Sequence, residues 1–259
     1  MAKIVSVHSF RGGTGKSNMT ANLAATAAGL GLRVGVVDTD IQSPGIHVIF
    51  GLEEKQINRA LNDYLWGECA IEDTAYNIPL TSPSAKGGAM YLIPSSIKAG
   101  EIARVLREGY DVGMLNDGFQ DLISHLKLDV LFIDTHPGLN EETLLSLAIS
   151  DVLVLILRPD KQDFQGTAVT VEIARKLNVP QLLLVVNKAL PSMDFTSLRK
   201  RVSETYNAPV AAVFPLSEDM LELASSGIFC LRYPDHPFTR EIQRLARQVL
   251  GDAPGGSPP

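Results

Sequence analysis

The nine residues Ser9-Phe10-Arg11-Gly12-Gly13-Thr14-Gly15-Lys16-Ser17 constrain this chain more than any other stretch. An apolar run, Lys3 to His8 (KIVSVH), precedes them and reads as a buried strand. Asn18 to Gly29 (NMTANLAATAAG) follows; its Ala and Leu content reads as a helix. Strand, glycine loop and helix in that order make a phosphate-binding unit, because glycines let backbone N–H groups turn inward at a helix N-terminus. Gly12, Gly13, Thr14, Gly15 and Asn18 would line the cradle. Lys16 would reach the β- and γ-phosphates, and the Ser17 hydroxyl would hold Mg²⁺. The stretch therefore predicts a nucleotide site.

The usual loop pattern, G-x-x-x-x-G-K-[ST], asks for glycine at position 10, where this chain has Phe10. What stands instead is Arg11-Gly12-Gly13-Thr14-Gly15-Lys16-Ser17, a basic residue ahead of a double glycine. This closely resembles the deviant Walker A box, K-G-G-x-G-K-[ST], of the MinD/ParA family of ATPases. The family's signature lysine falls on Arg11. In the family that lysine crosses to the partner's nucleotide, so the resemblance implies a homodimer in the ATP-bound state. Arginine keeps the charge but presents a planar fork that can grip two phosphate oxygens. Arg11 then acts either as an arginine finger in trans or as added positive charge beside its own phosphates.

Three further boxes fit the same resemblance. Asp38-Thr39-Asp40 closes the run RVGVVD, at a strand end that should line the ligand crevice. By resemblance, Asp38 supports the loop and the magnesium shell. Asp40 takes the switch I position that orients the attacking water and counts among the metal ligands. An Asx turn is the plainer reading of both. Asp134 ends the apolar strand DVLFID, a Walker B arrangement that contacts Mg²⁺, and the residues after it match a D-x-x-P-G switch II. His136, inside that box, departs from the family pattern; it is either a proton carrier or a turn residue. Asn187-Lys188 closes QLLLVVN, where the family's Asn recognises the base, so ATP is the expected nucleotide; a strand-end turn residue is the plainer reading of Asn187. Pro215, within Phe214-Pro215-Leu216, falls where the family closes the other side of the base.

Apolar residues make up 45% of the 259, enough for a large core. Several runs are continuously apolar, including VLVLIL and QLLLVVN, as strands buried on both faces of a parallel sheet are. Helical patterns such as Phe164 to Leu177 and Ser217 to Ser225 lie between them. The prediction is an α/β, doubly wound, mostly parallel sheet with helices on both faces, one domain over residues 1–250. The tail Gly251 to Pro259 (GDAPGGSPP) is expected to be disordered. No secretory leader and no run of about 20 apolar residues is apparent, so the expectation is a cytoplasmic protein.

What the protein acts upon is less legible. By resemblance, an activating partner protein is expected. Leu198-Arg199-Lys200-Arg201 is the one dense basic cluster, suited either to non-specific DNA contact or to a solvated helix face. Thr239 to Leu250 puts Ile242, Leu245 and Val249 on one face, which fits a core helix or, less well, a membrane-surface helix. By resemblance, the family's iron–sulfur carriers need paired cysteines near the dimer axis or a C-x-x-C; Cys69 and Cys230, far apart in sequence, supply neither, which sets the carriers aside. Tyr64 and Trp66 read as a helix over the sheet edge or as partner anchors.

Overall fold

Along strand β6 (Val152–Leu157), Val152, Val154 and Ile156 belong to one apolar cluster and Leu153, Leu155 and Leu157 to another. All six are buried. Neither face of this strand can meet water, so the sheet must carry helices on both sides. The computed structural model describes residues 2–80 and 87–251 and shows that arrangement.

Eight strands form one sheet: β1 (Lys3–His8), β2 (Arg33–Asp38), β3 (Tyr76–Ile78), β4 (Ala89–Ile93), β5 (Val130–Asp134), β6, β7 (Gln181–Ala189) and β8 (Val210–Pro215). Their order across the sheet is β3-β4-β2-β5-β1-β6-β7-β8. All neighbours are parallel except β3, which pairs antiparallel with β4 at the edge. Sequence pattern misses β3, because three residues are too few to show a period.

The helices are α1 (Lys16–Gly29), α2 (Ile46–Ile49), α3 (Leu61–Leu65), α4 (Ala99–Glu108), α5 (Gly113–Leu126), α6 (Glu141–Ala148), α7 (Lys161–Lys176), α8 (Phe195–Tyr206), α9 (Glu218–Leu223), α10 (Phe229–Arg232) and α11 (Pro237–Leu250). Buried residues of α1, α2, α10 and α11 share the cluster on one face. The opposite face is covered around β2 and β5 by α5, and around β6 and β7 by α7 and α8.

Ile242, Leu245 and Val249 of α11 are fully buried in that first cluster. At about 1.5–3 kcal/mol each, these three side chains commit the helix to the core. Its apolar stripe is therefore not a membrane surface, which corrects the lesser of the two sequence readings. No helix among the described residues is long and apolar enough to cross a membrane. Of the expected disordered tail, residues 252–259 lie outside the described residues.

Tyr64 and Trp66 also resolve as packing. The Tyr64 hydroxyl donates to the Met114 carbonyl at 2.9 Å, and its ring lies over Gly118, where an added Cβ would come within 2.8 Å of it. The Arg104 guanidinium sits 4.0 Å above the Trp66 ring. The segment is thereby tied to α4 and α5.

The site follows from the connections. From β1 the chain crosses by α1 to β2 on one side, whereas β6, β7 and β8 extend the sheet on the other. Carboxyl ends of strands at such a switch point open into a crevice. The ends of β1, β2 and β5 meet there.

Candidate functional site

The loop after β1 turns through two left-handed glycines, Gly13 at φ +74° and Gly15 at φ +98°, and α1 starts at Lys16. Two side chains from the end of β7 tie the loop down. The Asn187 amide donates to the Thr14 carbonyl at 2.8 Å, and the Lys188 ammonium donates to the Gly13 carbonyl at 2.8 Å. An added Cβ at Gly15 would stand 2.6 Å from the Asn187 amide nitrogen, so only glycine fits. The Thr14 hydroxyl is buried with no hydrogen-bond partner among the described residues. A buried polar atom left so is costly, and it is what a loop awaiting oxygen ligands presents.

Asp38 and Asp134 are register partners at the ends of β2 and β5, and both are buried. Burial, followed by the neighbouring Asp134 and Asp40 carboxylates, raises the Asp38 pKa well above the usual carboxylate range; N–H donors from Asp40 (3.0 Å) and Gly45 (3.3 Å) pull it back. Burial also raises Asp134, against the ammonium of Lys16 and the hydroxyls of Ser17 and Thr20. The Thr20 hydroxyl is 3.0 Å from Asp134 Oδ1. Carboxylates that raise one another's pKa are a fitting seat for a divalent cation, whose charge would relieve them. Of the residues predicted to hold Mg²⁺, Ser17 and Asp134 adjoin and Asp40 is felt through its charge. The donors are oxygens, the kind Mg²⁺ takes, although no three carboxylate or histidine side chains among the described residues form a metal-holding group by themselves.

Two histidines complete this end. His8 Nδ1 lies 2.7 Å from the Thr135 hydroxyl, which itself donates to the Val7 carbonyl at 3.1 Å. The hydroxyl proton is thus spent, so His8 donates. Burial, then Lys16 and His136, pushes the His8 pKa down to about 3 and keeps the ring neutral. His136 Nδ1 lies 2.6 Å from Asp40 Oδ1. The sequence marks His136 as a turn residue or a proton carrier; its contact with Asp40, 96 positions away, is not readable from spacing.

Phe10 and Arg11 face α7. The Phe10 ring occupies the space that a Cβ on Gly166 would fill, so the departure at position 10 is accommodated by a glycine in a helix. Arg11 turns back onto its own chain, with Nη1 3.4 Å from Asp163 Oδ1 and 3.7 Å from Asp160 Oδ1. Asp163, almost fully buried, is shared with Arg158 at 3.0 Å. Arg11 is thus paired with carboxylates of α7 and its N-terminal turn, a contact that the sequence did not foretell.

Beyond the loop lies a cavity of about 190 Å³ lined by Asn18, Asn187, Pro215, Met220, Phe238 and Ile242, among others. Asn187 and Pro215, expected around the base, are both in its wall. Asn187 is more occupied than expected, since its oxygen accepts the Lys188 N–H at 2.9 Å while its nitrogen holds the loop. Half of its hydrogen-bonding capacity remains for a ligand.

The family model of ParA described as the NUBPL iron-transfer P-loop NTPase matches residues 1–250. The chain belongs to this family. An uncharacterized ATP-binding protein of Methanocaldococcus jannaschii is 28% identical over 253 residues, which cover 97% of this chain and 89% of that protein. The cytosolic Fe-S cluster assembly factor Nubp2 homolog of Anopheles gambiae is 24% identical over 261 residues, covering 95% of each. The crystal structure of the Pyrococcus furiosus cell division ATPase MinD has the same fold, with a TM-score of 0.80 at 21% identity over 96% of this chain and 98% of that one. The protein is a P-loop ATPase of the MinD/ParA superfamily.

At the level of kinship, the comparisons correct the exclusion of the iron–sulfur carriers. The residues still lack the paired thiols on which that exclusion rested. Cys230 is buried on α10, with its pKa raised to about 11 by burial, and Cys69 lies just beyond α3, far from it in sequence.

Proposed function

We propose that this chain is a slow, ATP-dependent dimerising switch that positions or assembles a cellular cargo. The convergence of the loop with the carboxylates of Asp38, Asp40 and Asp134, at the joined ends of β1, β2 and β5, supports this reading most directly. Lys16 and the loop N–H groups would bind the triphosphate, Asn187, Lys188 and Pro215 would flank the base, and Ser17, Asp40 and Asp134 would hold Mg²⁺. Bound there, Mg²⁺ neutralises charge on the phosphates. Asp40 orients the attacking water. Arg11 must leave Asp160 and Asp163 to reach a partner's nucleotide, so its release and dimer closure are one event.

Static light scattering with ATP, combined with single-turnover hydrolysis, tests this. Wild type should dimerise with ATP and release phosphate slowly; Arg11→Ala should stay monomeric, and Asp40→Ala should bind ATP without releasing phosphate. A dimer unaffected by Arg11→Ala would remove the trans role. Phosphate release unaffected by Asp40→Ala would remove its catalytic role.

A second reading has a specific observation in its favour: the family description names iron transfer. Under it the cargo is an iron–sulfur cluster held between two copies. Anaerobic reconstitution followed by absorption spectroscopy separates the readings, since a Cys69→Ser variant would then lose the cluster band. Within the basic cluster Arg199 is engaged with the Val210 carbonyl and faces Glu241, and Lys200 faces Glu204 at 3.9 Å, while Arg201 is exposed with no ion pair among the described residues. Non-specific DNA contact through this face and a regulating partner protein both belong to the first reading.

A further inference from the structure

Asp40 sits in the loop between β2 and α2 and is bound mainly by its own neighbourhood. Its N–H donates to Asp38 Oδ1 at 3.0 Å, and its Oδ1 accepts the Ser43 N–H at 3.2 Å. Across the fold, its carboxylate is met by His136 Nδ1 at 2.6 Å. A carboxylate only accepts, so the proton of this short bond is on Nδ1.

Asp40 is held by bonds within its own loop, whereas His136 is held from other elements. On one side of it, Thr135 is bonded through both its N–H (3.3 Å) and its hydroxyl (3.1 Å) to the Val7 carbonyl, and its oxygen also receives the neutral His8. On the other side, the Gly138 N–H donates to the Ser9 carbonyl at 3.3 Å, and the Thr143 hydroxyl reaches the His136 carbonyl at 3.3 Å. The backbone carrying His136 is thus pinned to β1 and to α6.

We propose that His136 is a positioning residue for hydrolysis: it holds the Asp40 carboxylate in its water-orienting pose and joins switch II to switch I through one hydrogen bond. His136 neither gives nor takes a proton in this role. It removes the freedom of a loop carboxylate that the reaction needs in a single orientation. The inference rests on the ATP-hydrolysing reading of this same site.

The ring nitrogen in use is Nδ1, which the amide nitrogen of asparagine can replace and that of glutamine cannot reach in the same geometry. Single-turnover phosphate release and ATP affinity should therefore be measured for wild type, His136→Ala, His136→Asn and His136→Gln. The expected result is release slowed about tenfold in Ala and Gln, restored toward wild type in Asn, with ATP affinity unchanged in all three. If Ala does not fold, the Asn and Gln pair carries the comparison alone. Equal rates for Asn and Gln, or a loss of ATP affinity in parallel with rate, would overturn the proposal. A wild type that releases no phosphate would overturn this inference and the hydrolytic reading together, whereas a hydrolysing wild type matched by His136→Ala would overturn only this inference.

Discussion

The two ends of the nucleotide site are built by different means. At the phosphate end, Lys16, Asp38, Asp134, His8 and Thr20 are buried, and the last four are hydrogen-bonded to named neighbours. At the base end, the cavity wall sets Met19, Leu216, Met220, Leu221, Phe238 and Ile242 beside polar groups such as Asn18, Asn187 and Lys188, with Leu221 59% exposed. The first end is a polar network in a low-dielectric setting, where every group depends on its neighbours. The second adds apolar surface, whose contribution grows smoothly with area. Substitution should therefore act sharply at one end and mildly at the other.

Gly15→Ala should do the most damage. A left-handed alanine costs about 1–3 kcal/mol, and its Cβ also meets Asn187 at 2.6 Å. ATP binding, followed with a fluorescent nucleotide, should weaken about a hundredfold or more. A variant that binds like wild type would mean that the loop is far softer than its tethers to Asn187 and Lys188 imply.

The next effect concerns the burial of His8. Its pKa falls from 6.5 to about 3 on folding, so the unfolded chain binds the extra proton below pH 6.5. His8 therefore costs nothing above that value and destabilises progressively as pH falls toward 3, by about 2 kcal/mol between pH 7 and pH 5. Urea unfolding of wild type and His8→Gln at both pH values should show this difference in slope. The raised carboxyls of Asp38 and Asp134 act in the opposite sense, gaining in acid, and cancel in the comparison. Parallel slopes would mean that His8 is not held neutral.

Leu221→Ala should be the mildest. Its side chain is largely exposed at the cavity mouth, and the apparent KM for ATP in a steady-state assay should shift about twofold. A loss as large as that of Gly15→Ala would erase the contrast between the ends.

The same contrast decides what a reader of the sequence can see. The phosphate end was legible because Arg11 to Ser17 is contiguous, and because Asp38 and Asp134 each end an apolar strand. The parallel sheet was legible for the same reason, from runs such as VLVLIL. The Asp40–His136 contact and the hold of Asp163 on Arg11 join positions 96 and 152 apart. Only the folded chain brings such pairs together. The base end draws on α1, the end of β7, the end of β8, α9 and α11. Asn187, Lys188 and Pro215 could be picked out by resemblance, but its apolar residues, such as Met220, Phe238 and Ile242, are ordinary core types whose identity does not separate a cavity wall from packing. β3 escaped because Tyr76–Ile78 is too short to alternate visibly.

Isothermal titration calorimetry with ATP, ADP and AMP, each with and without Mg²⁺, tests most directly whether affinity resides at the phosphate end. The account predicts binding of ATP and ADP that Mg²⁺ strengthens, and little or none of AMP. Binding of AMP as tight as that of ATP, indifferent to Mg²⁺, would contradict it.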